Sequence, residues 1–208
     1  MENKLHEDNL GIVPENTEGK PLDIEESIIK KSIDEASDSY QRMLGVLLEP
    51  GSWETLNGFS GASFKLQKIN SQAPDQLAGI HDHIQIDIAG PGPDKGDGFD
   101  WVEIERIDEN FDENADESFG MRLRASSNPE KANETATAHF FSDKATSTFI
   151  IKRNGKTITM SYHGRNEVPN VKDMNVHDKI RNSIVSLGAL SGLSSLEWTS
   201  FIKGILKC

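Results

Sequence analysis

Thr148-Phe149-Ile150-Ile151-Lys152-Arg153-Asn154-Gly155-Lys156-Thr157-Ile158-Thr159-Met160-Ser161-Tyr162 is the stretch whose reading decides the fold. Asn-Gly suits a two-residue type I′ turn, because both central positions of that turn take positive φ. A turn at Asn154-Gly155 sets Ile151 opposite Ile158 and Phe149 opposite Met160. Phe149, Ile151, Ile158, Met160 and Tyr162 then share one face, while Thr148, Thr157, Thr159 and Ser161 take the other. Turn chemistry and alternation agree on an antiparallel hairpin with one buried face.

The same period of two recurs upstream. Ser63 to Ile69 alternates, and His83-Ile84-Gln85-Ile86-Asp87-Ile88 places its isoleucines on one side. Asp100 to Ile107 aligns Val102 with Ile104, and Met121-Arg122-Leu123-Arg124 repeats the pattern. Helical periodicity flanks this region. Asp23 with Glu26 makes a capping-box pattern, followed by Ile29, Ile33, Ala36, Tyr40, Met43 and Leu47 up to Pro50-Gly51. After Pro169 come Val176, Ile180, Ile184, Leu187 and Leu190, then a break at Ser191-Gly192. A second capping box at Ser194 and Glu197 opens a last stripe of Trp198, Phe201, Ile202 and Ile205.

The expected fold class is α+β: an antiparallel sheet or partly closed barrel of about six strands, one N-terminal helix and two C-terminal helices. Residues 1–22 carry no apolar period and read as a disordered tail, leaving one domain over residues 23–208. The only cysteine is Cys208, so no disulfide forms within the chain. No basic segment followed by an apolar run opens the sequence, and no stretch approaches the ~20 apolar residues of a membrane span, which points to a cytoplasmic protein without a membrane role.

Charge supplies the sharpest functional signal. The formal net charge is −12, and residues 94–117 hold eleven acids against two bases. Residues 118–208 carry thirteen bases and seven acids. A chain this acidic is repelled by phosphate backbones, which argues against nucleic acid as a partner. Asp94, Asp97, Asp108, Glu109, Asp112, Glu113, Asp116 and Glu117 form the expected contact surface for another protein bearing a basic patch.

Two metal readings accompany it. Counted from Asp108, the odd positions Asp108, Asn110, Asp112, Asn114 and Asp116 all bear oxygen, as in a twelve-residue calcium loop. The glycine such a loop needs at its sixth position is Glu113, and the glutamate at its twelfth is Phe119. His81 and His83, two apart on an expected strand, suit zinc if His139 or His163 adds a third nitrogen. Neither calcium nor zinc is required by the pattern, so no cofactor is expected.

Glu103 and Glu105 face Arg122 and Arg124 as a cross-strand charge ladder, and Arg165 in His163-Gly164-Arg165-Asn166-Glu167 offers an anion contact. The sequence has no G-x-S-x-G, phosphate loop, dinucleotide fingerprint or H-E-x-x-H. The leading expectation is therefore a non-catalytic interaction or assembly module. The alternatives are a small-ligand-binding barrel, with a cavity lined by Phe149, Met160, Tyr162 and Trp101, and a metal-dependent hydrolase built on the H-x-H pair.

Overall fold

The computed structural model describes residues 10–56, 62–69, 77–88, 96–112, 116–131, 136–170 and 195–208. Seven strands form one antiparallel sheet: β1 (Leu22–Ile29), β2 (Ala62–Gln67), β3 (His83–Ile88), β4 (Asp100–Asp112), β5 (Asp116–Ala125), β6 (Thr146–Asn154) and β7 (Thr157–Arg165). Their order is β1-β7-β6-β5-β4-β3-β2, so among the described residues β1 and β2 are the two edges and the barrel stays open. Helices α1 (Ile33–Leu47) and α2 (Ser195–Ile205) lie in the concavity of the sheet. A 3₁₀ turn, Pro50–Thr55, leads from α1 to β2. Among the described residues no helix is long and apolar enough to cross a membrane.

The hairpin keeps the expected face but slides its register. Asn154 pairs with Thr157, Ile151 with Met160 and Phe149 with Tyr162. Gly155 and Lys156 are thus the turn residues, and of these Gly155 alone has positive φ, +54°. That pattern matches a type II′ turn, with glycine at its first central position. The slide is two residues, so it preserves side-chain parity, and Phe149, Ile151, Ile158, Met160 and Tyr162 are all buried.

The first helix begins later than expected. Leu22–Ile29 is the edge strand β1, paired along β7 from Leu22–Gly164 to Ile29–Thr157. Leu22, Ile24 and Ile28 pack against the core, an alternation that the apparent capping box at Asp23 concealed. The true cap is Ser32, whose Oγ accepts from the Glu35 amide at 3.1 Å, while Glu35 Oε2 accepts from the Lys31 amide. From there Ala36, Tyr40, Met43 and Leu47 turn inward, as their spacing requires. On α2 the buried set is Trp198, Phe201, Ile202 and Ile205. The expected helix over Val176–Leu190 and the cap at Ser194 lie outside the described residues.

Part of the expected tail belongs to the fold. Ile12 is fully buried, and a Cβ at Gly120 would come within 3.0 Å of both Leu10 and Ile12. Arg106 and Arg122 donate to the carbonyls of Gly11 and Ile12, and the Asn166 carboxamide oxygen accepts from the Thr17 and Glu18 amides. Residues 10–19 therefore strap the convex face of the sheet. The C-terminus is tied down as well, through Arg42 Nε donating to the Cys208 carbonyl at 2.9 Å.

A bulge at Glu105 reshapes the charge ladder. The β4–β5 register shifts between Ile104 and Arg106, which lets Glu105 alone pair with both Arg122 and Arg124. Glu103 turns instead to His81. The bulge also brings Ile107, rather than Arg106, opposite Met121 on the core side. Replacing Ser32 by alanine is expected to lower stability by about 1 kcal/mol, the usual worth of an N-cap, as measured by urea unfolding.

Candidate functional site: an aromatic cavity ending in a half-buried carboxyl

Each wall of the site follows from strand parity. Phe64 on β2, Ile84, Ile86 and Ile88 on β3, Val102 on β4 and Leu123 on β5 all point into the concavity and line a cavity there. Trp53, from the 3₁₀ turn, enters from one side and donates its indole N–H to the Val46 carbonyl at 3.1 Å. Trp198 of α2 enters from another and stacks on Tyr162 with ring centroids 4.3 Å apart. The cavity encloses about 50 Å³, and the empty space with its mouth included is about 550 Å³. One water needs about 10–15 Å³ of enclosed room, so this interior exceeds a single-water void.

His139, Phe140 and Phe141 complete the wall. Asp100 accepts from the Phe140 amide at 2.9 Å, and the segment pairs with the chain beyond β7, where Ser142 donates to Val168 and Asn170 to Phe140. His139 Nδ1 accepts from the Phe141 amide at 3.0 Å. A ring nitrogen that accepts carries no proton, so His139 is neutral while this bond is made.

The polar end of the cavity is a three-residue chain. Ser147 Oγ and Tyr162 Oη share a hydrogen bond of 3.0 Å, and Tyr162 donates to Glu167 Oε1 at 3.1 Å. Two glycines make room for Glu167. A Cβ at Gly164 would stand 2.5 Å from Glu167 Oε1, and one at Gly19 would stand 2.8 Å from the Glu167 carbonyl. Asn166, at φ +56°, turns the chain so that Glu167 faces inward. Burial pushes the Glu167 carboxyl up to about 7, against the opposing pull of the Tyr162 hydrogen bond and the Arg165 charge. Burial likewise raises the Tyr162 phenol, with the Glu167 charge adding to the shift.

A smaller void of about 20 Å³ adjoins this end, sharing Val102, Leu123, His139, Phe141, Ser147 and Glu167 with the larger one. Thr146 lines it, is 2 % exposed, and has an Oγ1 that makes no hydrogen bond among the described residues.

The cavity contains one of the four residues expected to line it, Tyr162. Phe149 and Met160 are buried beneath it in the core, and Trp101 lies on the opposite face, donating to the Gly96 carbonyl. Glu167 went unassigned in the sequence, where its only mark is that it follows a strand in a mainly basic segment.

The acidic block is largely strand, not loop: Asp108 and Glu109 lie in β4, Asp116 and Glu117 in β5. Asp97 pairs with Lys131 at 2.6 Å, Asp108 with Arg106 at 2.6 Å, and Asp116 accepts from Asn154 at 3.1 Å. Glu117 and Arg153 form a buried pair at 2.5 Å, their side chains 10 % and 4 % exposed. Glu109 is exposed, and Asp112 contributes backbone to β4. Asp94 and Glu113 lie outside the described residues.

The histidines are dispersed. His81 precedes β3 at φ +71° and pairs with Glu103 at 2.8 Å, so it does not share a strand face with His83. Burial lowers the His83 pKa, and its Nδ1 is buried without a partner among the described residues. Among the described residues no group of three His, Cys, Asp or Glu is arranged to hold a metal ion, so His81, His83 and His139 are not brought together as ligands.

Asp23, His163 and Ser161 form a row on the convex face, with His163 Nδ1 at 2.6 Å from Asp23 and Nε2 at 3.0 Å from Ser161 Oγ. Ser161 is 5 % exposed and lines neither cavity described above. Burial alone would raise Asp23, but the hydrogen bonds from His163 and Arg165 outweigh it and hold its carboxyl below the ordinary range. The row clamps edge strand β1 to β7. Arg165, expected to meet an anion, is committed to Asp23 and to the Leu22 and Gly164 carbonyls.

No protein-family model and no curated protein matches this chain. Solved structures similar to it include norcoclaurine synthase from Thalictrum flavum in complex with dopamine and hydroxybenzaldehyde, 12% identical over 90% of this chain and 84% of that one, with a TM-score of 0.41. The TTHA0849 protein from Thermus thermophilus is 12% identical over 90% and 95% of the two chains, at 0.40. Major latex-like protein 151 from Panax ginseng is 13% identical over 91% and 97%, at 0.37. Scores this low carry no inference about function.

The raised Glu167 carboxyl has a measurable consequence. The folded chain keeps this proton between the ordinary 4.5 and about 7, while the unfolded chain has lost it. Its contribution to stability is complete below 4.5 and is lost as pH rises to about 7. Urea unfolding across pH 4.5–8 is expected to show a decline for the natural chain that is shallower in Glu167→Gln. Equal slopes would show that Glu167 titrates normally.

Proposed function

We propose that this protein binds and carries a small, largely apolar molecule in the cavity between the sheet and α2. The observation that carries the reading is a space within the core that is walled by aromatic and branched aliphatic side chains and ends in a carboxyl–phenol–hydroxyl chain, the phenol buried and the other two half-buried. An ordinary core fills such a space, since protein interiors pack as densely as organic crystals. An apolar wall with a few convergent polar groups and a displaced titration is the usual composition of a small-molecule site. The wall supplies burial, worth roughly 25 cal/mol per Å² of apolar surface removed from water, and the polar chain fixes orientation.

Docking of a basic protein on the β4–β5 hairpin is the second reading. Exposed Glu109 and the 71 % exposed Phe111 support it, but the internal pairing of Asp97, Asp108 and Glu117 withdraws much of the charge it needs. Salt-sensitive capture of a partner that requires Glu109 would favour it over the carrier reading.

The carrier reading is tested with N-phenyl-1-naphthylamine, an uncharged dye whose emission rises in apolar surroundings. The natural chain is expected to bind it saturably, and Ile86→Trp, which fills the cavity from β3, is expected to weaken binding at least about ten-fold. Undiminished binding by a folded Ile86→Trp variant would place the dye elsewhere and overturn the reading.

A further inference from the structure

The polar end of the cavity discriminates by charge. Both voids together are lined by one acid, Glu167, and by no lysine or arginine among the described residues. His139 does not supply a cation, because its Nδ1 is occupied as an acceptor. Arg165, the nearest cation in sequence, spends its guanidinium on Asp23 and two carbonyls. Once Glu167 is ionised, above about pH 7, a carboxylate or sulfonate entering this end would meet a like charge, with no cation in the wall among the described residues and the Arg165 charge behind it already held by Asp23. In a poorly solvated space that repulsion is severe.

The same atoms suit a donor. Tyr162 occupies Glu167 Oε1, and Oε2 makes no hydrogen bond among the described residues. Ser147 steadies Tyr162 from the far side. A hydroxyl reaching this end can donate to Glu167 Oε2, a charge-assisted hydrogen bond once the carboxyl is ionised.

From this geometry we infer that Glu167 sets the ligand class: an uncharged aromatic or polycyclic compound bearing a hydroxyl group, with anionic analogues rejected. The inference rests on the carrier reading and adds to it the identity of the polar group. The aromatic wall of Trp53, Phe64, Phe140, Phe141 and Trp198 accommodates a flat ring system by stacked and edge contacts.

2-Naphthol and 2-naphthoate share one ring system and differ in the polar group, so they test the inference directly. Their affinities are measured by calorimetry at pH 8 with the natural chain, Glu167→Gln and Ser147→Ala, each checked for folding by near-ultraviolet circular dichroism. The natural chain is expected to prefer 2-naphthol by about ten-fold or more. Glu167→Gln keeps an acceptor for Tyr162 but removes the charge, and is expected to close most of that gap by strengthening 2-naphthoate. Ser147→Ala, which leaves the charge in place, is expected to keep the ratio. Equal affinities in the natural chain, an unchanged ratio in Glu167→Gln, or an equal effect of Ser147→Ala would overturn the assignment while leaving a ligand-binding cavity. If neither compound binds, the carrier reading falls and the assignment with it.

Discussion

Phe149 stands where the parts of this molecule meet. Its ring lies 5.8 Å from Trp53, 5.4 Å from Tyr162, 5.4 Å from Trp198 and 5.7 Å from Phe201, so one side chain of β6 touches the 3₁₀ turn, β7 and α2. An open seven-stranded sheet buries its concave face only if helices fill the hollow. The aromatic group around Phe149 performs that filling at the centre of the sheet, with Met43 and Leu47 of α1 joining the same core. Burying each such ring contributes about 1.5–3 kcal/mol before the aromatic contacts are added. Toward β2 and β3 the filling stops short, and the cavity is the space left between Trp53, Trp198 and the isoleucines of β3.

That arrangement also explains why an ionisable group sits inside. Tyr162 stacks on Trp198 and aims its hydroxyl away from the aromatic centre, where a partner is required once it leaves water. Glu167 and Ser147 are the partners. The carboxyl tolerates the site because it holds its proton up to about 7. Gly164 and Gly19 permit its close approach, and the strap over residues 10–19 holds Asn166, the residue next to it. The convex-face strap and the concave-face site thus meet at one turn of chain.

The sequence made most of the sheet legible because period-two alternation survives in a half-buried strand. Phe149, Ile151, Ile158, Met160 and Tyr162 share the face their spacing assigns, even though the register slid by two residues. Asp23–Ile29 reads as the start of a helix because Asp23 and Glu26 mimic a cap, whereas the pairing that makes Leu22–Ile29 a strand comes from β7, near the other end of the chain. The charge of the acidic block is overstated by the sequence for a related reason: Lys131 and Arg153 reach Asp97 and Glu117 only in the folded chain, although Arg106 stands two residues from Asp108 on β4. A cavity has even less sequence signature. Its wall comes from six strands, a 3₁₀ turn, a helix and two loops, and Glu167 shows no periodic context at all.

The central claim is that the concave side of the sheet, not the acidic surface, is where this protein meets its ligand. The chain has three tryptophans, which report on it separately. Trp53 and Trp198 line the cavity, while Trp101 is buried behind the sheet with its indole N–H on the Gly96 carbonyl. Titrating ¹⁵N-labelled protein with 2-naphthol should move the indole N–H resonances of Trp53 and Trp198 together and leave that of Trp101 in place. Movement of Trp101 alone, or of none of the three while binding is saturable, would contradict the account.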